Sequence, residues 1–178
     1  MVFENLELEG VKLLHHNNII DNRGSFMKIF NFDIFEKNNK ASNYKEHFFS
    51  FSKKNVIRGM HFQNPPKDYH KLVTVINGEI KDVVMDLRTT SKTYGKCISV
   101  ILSSSNNTSI YIPPGFAHGF LSLKSNTILS YLQSSCYNKG LDAGIRYDTI
   151  NFDWGISNPI VSDRDLKFES FQNFKSLF

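Results

Sequence analysis

Between Phe48 and Gln133 the chain is a series of short apolar runs broken by turn residues at steps of roughly 8–12 residues, the spacing of a β-sandwich or barrel. Lys71–Ile76 is followed by Asn77-Gly78 and then by Glu79–Leu87; Asn-Gly between two such runs predicts a tight hairpin with a type I′ turn. Further runs span Lys96–Leu102, Thr108–Ile112, Phe116–Leu123 and Thr127–Gln133, separated by a Ser/Asn loop and by Pro113-Pro114-Gly115. So many short strands leave no room for the helical crossovers of a parallel sheet. The expected fold is all-β, a double-sheet jelly roll with short helices and packed terminal extensions. Helical periodicity is confined to Asp33–Lys40, with Asp33 as the expected cap. Two more β-like runs, Gly10–His15 and Gly24–Phe30, precede the core, and Phe168, Phe171 and Phe174 follow it and demand burial. Extensions of this kind pack on the barrel or on a second subunit, so a homodimer is expected. Residues 1–178 read as one jelly-roll domain without linker or repeat.

Composition excludes several function classes. With 40% hydrophobic and 21% charged residues the chain is neither disordered nor of low complexity. No apolar run reaches the length of a membrane span, and the acidic N-terminus lacks the pattern of a secretion signal. Two cysteines, Cys97 and Cys136, build neither a disulfide scaffold nor a thiolate zinc site. A cytoplasmic location is therefore expected. The net charge of +4 is spread along the chain, with no basic run longer than Lys53-Lys54. That argues against nucleic acid and fits a small anionic ligand such as a phosphate ester.

Polar residues interrupt the apolar strands in four places: Arg58-Gly59-Met60-His61-Phe62-Gln63; Lys71; Pro113–Phe120 with His118; and Tyr131 with Tyr137, followed by Asp163 and Asp165. Alternation puts His61 and Gln63 on one face of a strand. Each residue alone has an ordinary structural explanation: a neutral histidine bonded to backbone, a surface lysine, edge tyrosines, turn aspartates. A metal site is disfavoured, because Gln63 stands where a His-x-His pair would need its second imidazole. His61 is then available for acid–base chemistry.

Taken together, Asp21–Phe26, Val56–Gln63, Lys71-Leu72-Val73, Asp86-Leu87-Arg88, Ser91–Gly95, Pro113–Phe120 and Ser162–Asp165 resemble the dTDP-4-dehydrorhamnose 3,5-epimerase family of the cupin superfamily, in order from about residue 10 to 168. The resemblance implies a cofactor-independent epimerase that inverts C3, C5 or both in a nucleotide-linked 4-keto-6-deoxy sugar, in surface-polysaccharide sugar biosynthesis. It makes His61 the base, oriented by Asp165; Lys71 the cation for the enolate oxygen, helped by Arg58 or His118; and Tyr131 the proton donor. Tyr137 would pack beside the sugar or base. The substrate-binding positions implied are Arg23, Phe26, Lys28, Glu46, Phe48, Arg58, Gln63, His118, Tyr137, Asp142 and Lys167.

Two positions depart from the family pattern. Lys28 replaces a glutamate, and Glu46-His47-Phe48 replaces Gln-x-Asn. Both fall in the nucleotide-contacting set, so the substrate is expected to be a dTDP-, CDP- or GDP-linked hexose or heptose. The competing readings are a 3,4-ketoisomerase of a nucleotide-linked 4-keto sugar and a non-catalytic sugar-nucleotide-binding module. Convergence of His61, Lys71 and Tyr131 on one volume separates these readings.

Overall fold

The computed structural model describes residues 1–178 and is built almost wholly from antiparallel strands. One sheet has six strands in the order β1 (Val2–Asn5), β2 (Lys12–His15), β10 (Thr108–Ile112), β7 (Lys71–Asn77), β12 (Thr127–Gln133), β5 (Glu46–Ser52). The second has five, in the order β13 (Asp142–Gly144), β6 (Ile57–Gln63), β11 (Phe116–Ser122), β8 (Glu79–Asp86), β9 (Cys97–Ser103). A separate hairpin pairs β3 (Asn18–Asp21) with β4 (Gly24–Met27). This is the expected jelly-roll sandwich, with only two short helices, α1 (Phe32–Lys37) and α2 (Asp163–Leu166). No helix is long and apolar enough to cross a membrane.

Strand alternation decides what lies between the sheets. Val73 and Val75 of β7, Leu129 and Tyr131 of β12, Ile80 and Val84 of β8, and Phe116 and Phe120 of β11 form one buried cluster contributed by both sheets. Burying each such side chain contributes roughly 1.5–3 kcal/mol. The outer face of the five-stranded sheet is covered by the chain after β13, where Ile150, Trp154, Phe171, Phe174 and Phe178 pack on Ile57, Met60 and Met85. The C-terminal aromatics are thus packed as anticipated. On the other sheet's outer face, Phe35 of α1 packs fully buried on Leu14, Leu72 and Tyr111.

Two local expectations are corrected. Asn77-Gly78 is not a hairpin turn: β7 and β8 lie in different sheets, and Asn77 stays in β7. Only Gly78 has positive φ, +88°, and a Cβ there would fall 2.5 Å from Thr127 Oγ1. The glycine makes a corner between layers, because both strands bury an apolar face and the sandwich satisfies both. Helix α1 is capped by Asn31, whose side chain accepts from the Ile34 N–H at 3.0 Å; Asp33 lies in its first turn. Either residue type can cap, and here the earlier one has the extended backbone a cap requires.

Candidate active site

The Arg58–Gln63 motif forms its site through a bulge. In the β6–β11 ladder His61 opposes His118 and Arg58 opposes Phe120, so Gly59 and Met60 together face the single residue Gly119. The extra residue shifts the alternation, and Arg58 and His61 line the same cavity. Two glycines make this possible. A Cβ on Gly59, where φ is +135°, would meet Gly119 Cα at 2.5 Å; one on Gly119 would meet Met60 Sδ at 2.8 Å and the Arg58 carbonyl at 2.9 Å.

Asp165 closes the bulge. Ser162 caps α2 and accepts from the Asp165 N–H at 3.1 Å, turning the carboxylate back toward β6. Its Oδ2 accepts from the Gly59 N–H at 3.1 Å and its Oδ1 pairs with His61 Nε2 at 2.9 Å. Burial alone would raise the Asp165 carboxyl, yet the hydrogen bonds and charge of His61 and the Gly59 N–H hold it below its ordinary value. The ionised carboxylate favours a proton on Nε2 and leaves the Nδ1 lone pair available.

Lys71 opens β7, on the same face as Val73 and Val75, and is 5% exposed. Burial pulls its ammonium down to about 8, against the attraction of Asp82 and Asp142. Its Nζ lies 3.4 Å from His118 Nδ1, and His118 Nε2 lies 2.8 Å from Asp82 Oδ2. Desolvation, with the Lys71 charge adding to it, pushes His118 below the usual imidazole range despite Asp82. His118 is therefore neutral, donating from Nε2 to Asp82 and accepting at Nδ1. Asp82 Oδ1 has no partner, so this carboxylate serves mainly as a buried counter-charge.

Tyr131, on β12, has its hydroxyl 3.0 Å from Ser50 Oγ, and its ring stacks on Phe48 at 4.8 Å. Burial pushes its phenol well above the ordinary value, so it is protonated at neutral pH.

His61, Arg58, Lys71, His118 and Tyr131 line one cavity of about 400 Å³, joined by Phe48, Phe49, Ser50, Gln63, Tyr69, Phe120 and Gln133. Toward its open end stand Glu46, Tyr137, Asp142 and Arg164. Tyr137 is 59% exposed, its N–H donates to Glu46 Oε1 at 2.8 Å and its hydroxyl lies 3.3 Å from Asp142 Oδ2. Arg164 pairs with Asp142 at 2.6 Å. Gln63 lines the wall, but its amide is engaged by backbone: it donates to the Lys67 and Cys136 carbonyls and accepts from the Asn138 N–H at 2.7 Å. It holds the loop that carries Tyr137. No group of three or more His, Cys, Asp or Glu side chains is arranged to hold a metal ion.

Some expected residues are not brought to this cavity. Arg23 and Phe26 lie on the exposed β3–β4 hairpin, where Arg23 pairs with Asp21 at 2.6 Å, and Lys28 follows it in the open. Lys167 is the exposed C-cap of α2. Asp165 lies behind His61 and is bonded to its Nε2. Asp82, Ser50, Tyr69 and Arg164 also belong to the site and are not among the residues expected from the sequence. Asp82 was findable, because it interrupts an apolar inward face between Ile80 and Val84; Arg164 sits beside a residue already singled out.

The matched family is described as dTDP-4-dehydrorhamnose 3,5-epimerase and covers residues 5–173. A dTDP-4-dehydrorhamnose 3,5-epimerase from Methanothermobacter thermautotrophicus is 39% identical over 168 residues, covering 92% of this chain and 90% of its own. The Shigella flexneri enzyme of the same description is 38% identical over 154 residues, 85% of each chain. Among solved structures, the Sulfolobus tokodaii epimerase superposes with a TM-score of 0.92 at 36% identity, covering 98% of this chain and 97% of that one. The Bacillus anthracis epimerase, solved with TDP and pyrophosphate bound, gives 0.92 at 32% identity, covering 95% and 98%.

Proposed function

Because the chain belongs to the dTDP-4-dehydrorhamnose 3,5-epimerase family, we propose that it is an isomerase that inverts C3, C5 or both of a nucleotide-linked 4-keto-6-deoxy sugar. The observation that carries this reading is the convergence of His61–Asp165, Lys71 and Tyr131 on one cavity. The C4 ketone acidifies the hydrogens on C3 and C5. His61 takes one of these protons at Nδ1, and the imidazolium is held by Asp165. The electron pair moves onto the ketone oxygen, giving an enolate stabilised by the buried Lys71 ammonium. Tyr131 then gives its proton to the same carbon from the opposite face, which inverts the centre. The phenolate regains a proton from solvent and His61 releases the one it took. No redox step occurs, so the proposed chemistry needs no cofactor. Positioned acid–base groups of this kind contribute on the order of 10²–10⁴-fold each.

Two finer readings belong here. The nucleotide is proposed to lie at the open end, beside Tyr137. Glu46 gives one carboxylate oxygen to the Tyr137 N–H, and its other oxygen bonds nothing in the chain. An acceptor at that point favours a base edge carrying an exocyclic amine, as in CDP or GDP, over thymine, whose only edge donor is the N3–H between two carbonyls. The protein is also proposed to be a homodimer. Ile19, Ile20 and Phe26 on the β3–β4 hairpin are 62%, 75% and 61% exposed, too much apolar surface on a two-stranded ribbon standing alone. A partner covering it would bring Arg23, Phe26 and Lys28 toward a nucleotide. The natural setting of this chemistry is cytoplasmic sugar-nucleotide supply for a surface polysaccharide.

The test is proton exchange in heavy water, followed by NMR on 4-keto-6-deoxy sugars carrying dTDP, CDP and GDP. Deuterium entering C3 or C5 with inversion of at least one centre supports the reading. Binding without exchange on any of the three would replace it with the binding-module reading.

A further inference from the structure

Lys71 reaches the cavity between two neighbours of different kinds. On one side is His118, at 3.4 Å, backed by Asp82. On the other is the ring of Tyr69, with Nζ over its face at 5.2 Å from the centroid. That distance is within the range in which the negative face of an aromatic ring attracts an ammonium, and the attraction is largest where water is excluded. Tyr69 is neutral at any pH the enzyme would meet: burial first, then the charges of Asp142 and Glu46, push its phenol up. The ring therefore keeps its full attraction for a cation. A neutral amine would be pulled much less.

We propose that Tyr69 is a positioning residue for Lys71: the face of its ring fixes the ammonium at the cavity wall and favours the charged form that stabilises the enolate. The proposal rests on the reading of Lys71 as the cation for that oxygen. Its physical need is plain from the surroundings. Of the groups facing Lys71, Asp82 from β8, Asp142 from β13 and Glu46 from β5 favour its charge. Arg58 and a protonated His61 from β6, and Arg164 beside Asp142, oppose it; His118 and Tyr131 are neutral. Asp142 is already engaged by Arg164 at 2.6 Å, and Asp82 by His118. An uncharged contribution to holding the ammonium fills that gap without adding another buried carboxylate.

The test follows the Lys71 side chain itself, by titration of its ¹³Cε resonance in the unliganded protein, together with the pH profile of kcat/KM for exchange. In Tyr69→Leu the Lys71 midpoint should fall by roughly half to one pH unit, and the alkaline limb of the profile should move with it. Tyr69→Phe keeps the ring and should leave both where they are in the wild type. If Tyr69→Leu does not fold, Tyr69→Gln removes the ring while retaining a polar side chain. A residue with a merely structural role would lower the rate at every pH without moving either midpoint, and that result would overturn the proposal. So would a Tyr69→Phe midpoint displaced as far as that of Tyr69→Leu, which would assign the effect to the hydroxyl. Failure of the underlying reading looks different: Lys71→Met would keep its exchange rate, while the Lys71 midpoint in the Tyr69 variants would still report whether the ring contact exists.

Discussion

His61 and His118 oppose each other across the β6–β11 ladder, and each directs Nε2 to its own carboxylate, Asp165 at 2.9 Å and Asp82 at 2.8 Å. The same pairing has two outcomes. His61 is partly open to the cavity, with its other nitrogen unengaged, so it can take up a proton. His118 is 4% exposed, and desolvation first, then the Lys71 ammonium facing its Nδ1, lowers its basicity. Burial and a neighbouring cation thus set the two imidazoles apart and suit His61 to the proposed role of base.

In the proposed reaction Tyr131 acts after the first proton has left carbon. Tyr131→Phe should retain deuterium wash-in within about tenfold and lose net inversion by 10²-fold or more, the scale of one positioned acid. The check is wash-in and product configuration measured in the same NMR tube. Equal losses in both would move the donor role to Tyr137.

Lys71 sets an alkaline limit. Its ammonium is held down to about 8, so kcat/KM should fall as pH rises through that value. The same shift opposes folding. Between about 8 and the unperturbed 10.5 the unfolded chain binds a proton that the folded state has released, so this residue's contribution makes stability rise with pH there. Lys71→Met should abolish enolate stabilisation yet raise unfolding free energy at pH 7 by on the order of 1–3 kcal/mol, less than the full shift because Asp82 loses an attractive charge. Denaturant titration alongside the exchange assay checks both directions.

Gly119→Ala should cost about 1–3 kcal/mol of stability by overpacking, because the new methyl meets Met60 and the Arg58 carbonyl inside 3 Å. The loss should be accompanied by a weaker His61–Asp165 contact, since the bulge it disturbs carries His61 and the Gly59 N–H that holds Asp165. Thermal melts and exchange rates, measured together, test this.

The proposed role of Glu46 in base preference can be measured. Calorimetry should find dTDP bound more weakly than CDP or GDP by the wild type. Glu46→Gln should narrow that gap by roughly tenfold, the consequence of relieving one unmatched polar contact at a partly buried site. Tightest binding of dTDP by the wild type would leave Glu46 without influence on the base.

The sheets were legible because apolar residues alternate along strands, and the site was legible where it interrupts that alternation. Lys71, His118 and Tyr131 each occupy an inward position that a core hydrophobe would otherwise fill, flanked by Val73, Phe116 and Leu129. The pairing of strands was less visible. Asn77-Gly78 carries a local turn preference, but β7 takes β10 and β12 at its edges because both its faces are buried, Val73 and Val75 on one side and Leu72 on the other. Tyr69 and Arg164 are not legible for another reason: Tyr69 lies in an irregular segment and Arg164 in a four-residue helix, too short for periodicity to mark a side chain as inward.

The central claim is that His61 is the base, and His61→Asn tests it most directly, because asparagine keeps a polar side chain of similar reach but is not basic at neutral pH. The measurement is deuterium incorporation at C3 and C5 by the variant, beside calorimetric affinity for the nucleoside diphosphate. The account predicts loss of incorporation at both carbons by 10³-fold or more, about the upper scale of a single acid–base group, with affinity changed less than about threefold. Incorporation at either carbon persisting near the wild-type rate would contradict it.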